Sequence, residues 1–234
     1  MKFKLVNSEL QYYLLSPTNP PPEFTELHNQ AYHFWLDLWR KTFEDLGALD
    51  TSHLNEDFVR QNVVSCLCNN GKVIAVFLHA FASIGTDATR THRYMRDNFP
   101  ETFFEKIKRK GMQNIMTSNY LAVHPKWRKG QDGLRIAPIM VGLSLRVRDL
   151  FGADGFIGVW RNDRKVSELS YEQGGERIIG NVMNHNVLCD LILMDSRTPY
   201  CYPSKEVQKH VDGLWTHRID AFLSPILNKE RKAI

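Results

Sequence analysis

Apolar and polar positions along this chain repeat with two periods, one near two residues and one near three and a half, and the switches between them mark its elements. Gln11-Tyr12-Tyr13-Leu14-Leu15 is a short aromatic and apolar run stopped by Pro17, which predicts a first strand. Four prolines between Pro17 and Pro22 make a loop. From Glu23 to about Leu46 the apolar residues return at helical spacing. Leu27, Phe34, Leu38 and Leu46 fall on one stripe, helped by Ala31 and Tyr32. Phe34, Trp35 and Trp39 in the same segment read as core. A short second helix is expected from Asn55 to Gln61, with Asn55 as its cap. Val63–Leu67 and Lys72–Ala82 are almost continuously apolar and are joined by Asn69-Asn70-Gly71. That predicts a tight hairpin whose strands are buried on both faces.

The pattern changes at Ile84. Thr86 to Arg96 is polar, and Pro100 to Lys110 is amphipathic through Phe103, Phe104 and Ile107. The segment 84–110 therefore reads as a helical insertion between two strands of one sheet, serving as a lid, a partner surface or plain packing. A strand follows over Ile115–Val123. Next comes a basic, glycine-bearing turn, His124 to Gly133, and then an apolar helix running to Phe151. Pro138 is comfortable only in a first helical turn, so that helix is expected to start near Ala137. Gly155–Trp160 is the next strand. Asn162 and a short helix carrying Ser170 and Tyr171 lead to Gly174-Gly175. Glu176–Val182 and Val187–Met194 form a second hairpin across Asn184-His185-Asn186. Ser204 to Phe222 reads as an amphipathic helix capped by Ser204, with Val207, Val211, Leu214, Trp215, Arg218 and Phe222 on one face. Asn228–Ile234 is polar and expected to fray. The whole, 1–234, is expected to be a single α/β domain: a central mixed sheet of about seven strands flanked by helices.

Composition narrows the function classes. At 234 residues, 43% apolar and 24% charged, the chain suits a globular domain. No apolar run approaches the roughly 18 residues of a membrane span, and none follows the basic residues of Met1–Asn7, so a cytoplasmic protein is expected. Cys66, Cys68, Cys189 and Cys201 lack zinc-ligand or Cys-x-x-Cys spacing, which predicts buried reduced thiols and no metal. The net charge of +4 is mild and clusters at Lys106–Lys110 and Lys126–Lys129. It suits an anionic small molecule or an acidic carrier, and no aromatic-interleaved basic surface points to nucleic acid.

Strand, basic glycine turn, helix and strand is an order that cradles phosphate on backbone N–H groups. Together with Val123-x-Pro125-x-Trp127-Arg128-Lys129-Gly130 it resembles the GNAT superfamily of acyl-CoA-dependent N-acyltransferases. The resemblance covers most of the chain and is best between Ile115 and Met194. It implies a GNAT-like fold, with acetyl-CoA or a longer acyl-CoA as acyl donor. It places the donor on Ala122, Val123, Arg128, Lys129, Gly130, Gln131, Asp132 and Gly133, and on Asn162 beyond the next strand. The glycines stand two and five residues after Arg128, whereas the family pattern sets them three and five after, so Gln131 sits where a glycine is expected. The family tyrosine that protonates the departing thiolate aligns with Ser170 if gaps are forbidden, and Tyr171 is next to it. The strand Ile115–Val123 carries no glutamate base. A base could work through water, or come from His79, Asp87 or His124, and the chemistry can run without a dedicated base.

The long first helix, the insertion and the altered turn also resemble the acyl-homoserine-lactone and N-acyl amino acid synthase branch of that superfamily. An acyl carrier protein would then be a further donor, with Lys106-Ile107-Lys108-Arg109-Lys110 suited to its acidic surface. The expected reaction moves an acyl group from a thioester to a small-molecule or peptide amine. The other reading is a non-catalytic module of the same fold that binds an acyl thioester or a protein.

Overall fold

The computed structural model describes residues 10–47, 51–128 and 134–222. It begins with β1 (Leu10–Leu15), followed by α1 (Thr25–Asp45) and α2 (His53–Val59). The buried face of α1 is set by Ala31, Trp35, Leu36 and Phe43, a stripe rotated from the one that Leu27, Phe34 and Leu38 predict. Large rings decide the face: Trp35 packs on Phe58 and Tyr120, and Phe43 on Trp39. In α2, Ser52 holds the capping position expected for Asn55, whose Oδ1 instead accepts from Tyr32.

β2 (Val63–Asn69) and β3 (Lys72–Ser83) form the expected hairpin. Asn70 and Gly71 at its tip have φ of 50° and 72°, the pair a type I′ turn requires. The insertion is helical apart from breaks at His92 and Phe99-Pro100: α3 (Asp87–Thr91), α4 (Arg93–Asn98) and α5 (Glu101–Arg109). Then come β4 (Asn114–Val123), α6 (Ile136–Leu150), β5 (Gly155–Arg161) and α7 (Val166–Tyr171). Pro138 is the third residue of α6, where its missing N–H costs no helical bond. β6 (Glu176–Asn184) and β7 (Val187–Asp195) make the second hairpin. α8 (Lys205–Thr216) is capped by Ser204, whose Oγ accepts from the Val207 N–H. The helix ends at Thr216, short of the predicted Phe222, because Ile219–Ala221 forms β8.

Among the described residues eight strands form one mixed sheet, one more than the sequence suggests, in the order β6-β7-β5-β4-β3-β2-β1-β8. The extra strand is β8, parallel to β1 through Tyr13 and Ile219. One face of the sheet is covered by α6 and α8. The other carries α1 and α2 over β1–β4, and the insertion over β4–β7. Cys66, Cys68 and Cys189 are buried free thiols; Cys201 is free and exposed. Among the described residues no helix is long and apolar enough to cross a membrane.

Candidate active site

The central feature is a parting of strands. β4 and β5 run parallel and pair at Ile115 with Gly155, Met116 with Phe156 and Thr117 with Ile157. Beyond Thr117 they no longer pair, although β4 continues to Val123 and β5 to Arg161. The edge of β4 that faces β5 therefore has no strand partner from Ser118 onward. A bulge lies at the same place. The pairing of β4 with β3 slips between Asn119 and Ala122, and Tyr120 takes a left-handed φ of 60°. Trp39 Nε1 caps the strained residue by donating to the Tyr120 carbonyl at 2.9 Å.

Ala122 and Val123 are buried at the far end of β4 and pair with Val76 and Ala75. Arg128 turns back, and its Nε donates to the Val123 carbonyl at 2.9 Å. Lys129, Gly130, Gln131, Asp132 and Gly133 lie outside the described residues. Beyond them, α6 starts with no side-chain cap.

Across the parting, β5 pairs with β7, and Trp160 faces Asp190. Asp190 is a buried carboxylate in an otherwise apolar run, Val187-Leu188-Cys189-Asp190-Leu191-Ile192. A lone acid at that position was the sequence signal for a site, and sequence reasoning passed over it. It gathers the Tyr171 hydroxyl on Oδ2, and the Asn181 N–H at 2.8 Å and Asn162 Nδ2 at 3.2 Å on Oδ1. Burial pushes the Asp190 carboxyl up, but these three donors outweigh it and hold the pKa below the ordinary value. Burial, then the hydrogen bond to Asp190, pushes Tyr171 up to about 12. Asn162, expected on the donor, is thus part of this knot, and its own Oδ1 is buried without a partner among the described residues.

The two catalytic candidates on α7 separate cleanly. Tyr171 is 37% exposed, whereas Ser170 is fully buried and its Oγ donates to the Ser167 carbonyl at 2.7 Å. The turn after α7 closes when the Gly175 N–H donates to the Ser170 carbonyl at 2.8 Å. A Cβ on Gly175 would stand 2.8 Å from that same oxygen. Gly175→Ala is therefore expected to cost about 1–3 kcal/mol of stability as α7 is forced outward. A urea midpoint equal to that of the parent protein would show that the turn yields freely.

On the opposite face, α2 and the insertion enclose a cavity of about 360 Å³ over the β4 bulge. Asp57 and Arg60 of α2 form an ion pair on its wall, and Tyr120 Oη donates to Asp57 at 3.0 Å. His92 and Tyr94 of the insertion complete the far side. Two acceptors in this lining, Asn119 Oδ1 and Gln61 Oε1, are buried and have no donor among the described residues. Buried unpaired acceptors are rare and costly, and two lining one cavity suit a donor-rich ligand. Neither Asp87 nor His124 lines it. Asp87 is exposed and paired with Arg90, while His124 Nδ1 accepts from the Lys126 N–H and its ring stacks on Phe34.

His79 belongs to a third feature. It is fully buried, and its Nε2 lies 2.8 Å from Ser65 Oγ and its Nδ1 2.7 Å from Ser118 Oγ. Ser65 Oγ is in turn 2.6 Å from the Tyr12 hydroxyl, so one hydrogen-bonded chain crosses β1, β2, β3 and β4. Its direction follows from its ends. Tyr12 is 1% exposed, and Ser65 is its only hydrogen-bond partner among the described residues. Leaving the phenol hydrogen unpaired would cost about 1–3 kcal/mol. Tyr12 therefore donates to Ser65, Ser65 donates to Nε2, and Nδ1–H donates to Ser118. The hydrogen left over is that of Ser118, at 8% exposure the one open end of the chain. Burial pushes the His79 pKa down to about 3, so the ring stays neutral as this order requires.

The basic run in the insertion is largely occupied. Lys106 Nζ donates to the Ile178 carbonyl, Lys110 pairs with Glu176, Arg109 lies 3.8 Å from Glu105, and Ile107 is buried.

No protein-family model and no curated protein matches the chain in sequence. Solved structures do match it in shape. FeeM, an N-acyl amino acid synthase from uncultured soil microbes, aligns over 80% of this chain and 90% of its own, with 11% identity and a TM-score of 0.55. BjaI, a CoA-dependent acyl-homoserine lactone synthase solved with SAM and isopentyl-CoA, aligns over 92% of both chains, with 9% identity and a TM-score of 0.56. With the eight-stranded mixed sheet and the parting of β4 from β5, these likenesses establish the fold of this chain as that of the GNAT acyltransferases.

Proposed function

We propose that the chain is an N-acyltransferase that moves an acyl group from a thioester to a small primary amine. The observation that carries the reading is the separation of β4 and β5 after Thr117, with the Tyr171–Asp190 pair on one side and the cavity over the β4 bulge on the other. An acyl chain and thioester laid in that parting would meet the free edge of β4, while the cavity would supply the amine. Its unpaired Asn119 and Gln61 oxygens would receive the N–H groups of the amine. The segment 128–133 and the uncapped start of α6 would take the donor's phosphates, as backbone N–H groups at helix starts do. Coenzyme A is the donor we favour over a carrier protein, because the basic run of α5 is mostly engaged within the fold. The BjaI likeness, with isopentyl-CoA bound to that protein, supports the same choice.

The chemistry asked of the protein is modest. A neutral amine nitrogen attacks the thioester carbon, the C–N bond forms and the carbonyl oxygen gathers charge. The nitrogen gives up a proton to water, the C–S bond breaks and the sulfur takes a proton. Holding the two reactants together supplies much of the rate.

The test is thiol release. Acyl-CoAs of increasing chain length, each mixed with a panel of primary amines, are expected to yield free thiol and acylated amine with at least one pair. CoA at about 100 times its Kd is expected to raise the melting temperature by roughly 5–10 °C. Stabilisation by CoA with no thiol from any amine would overturn the transferase reading in favour of a binding module.

A further inference from the structure

The chain Tyr12–Ser65–His79–Ser118 takes no part in the binding of donor or amine, yet it places four polar side chains in a row inside the sheet. Apolar residues of similar shape would fill the same space without needing partners, so packing alone does not call for it. Three of the four members are sealed, with exposures of 1% or less. The order of donors leaves a single hydrogen unspent, on Ser118. That residue is the first of β4 beyond its pairing with β5. It sits where the strands begin to part, and the thioester carbonyl is assigned to that parting.

We propose that the Ser118 hydroxyl donates a hydrogen bond to the thioester carbonyl oxygen as the amine attacks, and that His79 holds it in place. This rests on the transferase reading for its substrate. Ser118 would be a catalytic residue, because it touches a reacting atom. His79, Ser65 and Tyr12 would be positioning residues. No proton moves along the chain in this step. The amine nitrogen bonds to the carbonyl carbon, the carbonyl electron pair shifts to oxygen, and the Ser118 O–H meets that oxygen while its own oxygen accepts from His79 Nδ1–H. A hydroxyl that accepts one hydrogen bond donates a stronger one, and three donors in series add to the effect. The donor is fixed before the reaction starts, so the developing charge needs no rearrangement to be met. When the C–S bond breaks, the carbonyl re-forms and the Ser118 bond weakens.

Removal of such a donor costs rate and leaves ground-state binding nearly intact. Ser118→Ala is expected to lower kcat on the order of 10²-fold with little change in KM for the acyl-CoA. Ser118→Thr, which keeps the hydroxyl, is expected to recover most of that loss. Tyr12→Phe keeps the buried ring but removes the group that fixes the direction of the chain. It is expected to lower kcat several-fold, again without a change in KM, which a merely structural residue would not do selectively. The carbonyl itself gives a readout that needs no turnover. The C=O stretch of bound ¹³C-labelled acetyl-CoA is expected at lower frequency in the parent protein than in Ser118→Ala. All variants are compared at matched folded fraction by thermal melting. Unchanged kcat, or an unshifted carbonyl band, in folded Ser118→Ala would overturn the inference. A Ser118→Ala loss that tracks a changed pH–rate profile would also overturn it, by making the chain a proton acceptor for the amine. If no amine yields thiol from the parent protein, the transferase reading fails. The carbonyl band still decides whether Ser118 reaches a bound thioester.

Discussion

Acidification from pH 6.5 downward is expected to destabilise this protein by about 1.4 kcal/mol per pH unit through His79 alone. In the unfolded chain an imidazole takes a proton near pH 6.5, whereas in the folded chain burial holds His79 near pH 3. Between those two values the unfolded state binds one more proton, so stability rises with pH across the window and falls as pH drops through it. The full loss at the bottom of the window is about 5 kcal/mol, comparable to the whole stability of many domains. His92, His185 and His210 are also shifted down, chiefly by burial, and contribute in the same direction. A comparison with His79→Gln isolates the buried ring. Urea midpoints of the parent protein and of the variant, measured from pH 4 to 7.5, are expected to converge as the pH falls, because only the parent carries this proton linkage. Parallel curves would mean that His79 takes its proton in the folded state near the ordinary value. That would also remove the neutral tautomer on which the direction of the Tyr12–Ser118 chain depends.

That chain shows what the sequence could and could not say. His79 stood out as a candidate base because it is a titratable residue in an apolar strand. Its partners could not be read, since Tyr12, Ser65 and Ser118 lie on three other strands and meet it only through the register of the sheet. Local chemistry was legible where it is local. Asn70-Gly71 and His185-Asn186 announced their hairpins, Ser204 its helix, and Pro138 the start of α6. Non-local pairing was not. Ile219–Ala221 carries no strand signal of its own and becomes one by lying along β1. The helical period that seemed to run on to Phe222 was misleading for the same reason. Arg218 lies over the Trp215 ring at 4.1 Å and binds Asp220, contacts that belong to a turn into β8. The parting of β4 and β5, on which the functional reading stands, is likewise a property of two segments about forty residues apart in sequence.

Tyr171→Phe is expected to lower the acyl-transfer rate on the order of 10²-fold. In the proposed reaction the departing sulfur takes a proton that keeps it from attacking back, and Tyr171 is a half-exposed residue of α7, its hydroxyl resting on Asp190, whereas Ser170 is buried and bound to Ser167. With its pKa at about 12, the phenol stays protonated through any working pH. The parent protein is therefore expected to show no alkaline loss of rate from this group up to pH 10. The bond to Asp190 changes how the variant must be read. Removal of the hydroxyl takes one of three donors from a buried carboxylate, and hydrogen bonds to charged groups are worth about 1.5–3 kcal/mol. The partial exposure of Tyr171 lets water make up part of that loss, so a destabilisation near the lower end of the range is expected. Rate and stability should thus fall together, and only their ratio separates an acid from a brace. Assayed well below its melting temperature, a folded Tyr171→Phe protein that still turns over at the parent rate would leave the hydroxyl a support for Asp190, with water protonating the sulfur. Ser170→Ala supplies the control. Its hydroxyl is spent within α7, so its kcat is expected to stay within about twofold of the parent value, and a loss as large as that of Tyr171→Phe would move the acid to the serine.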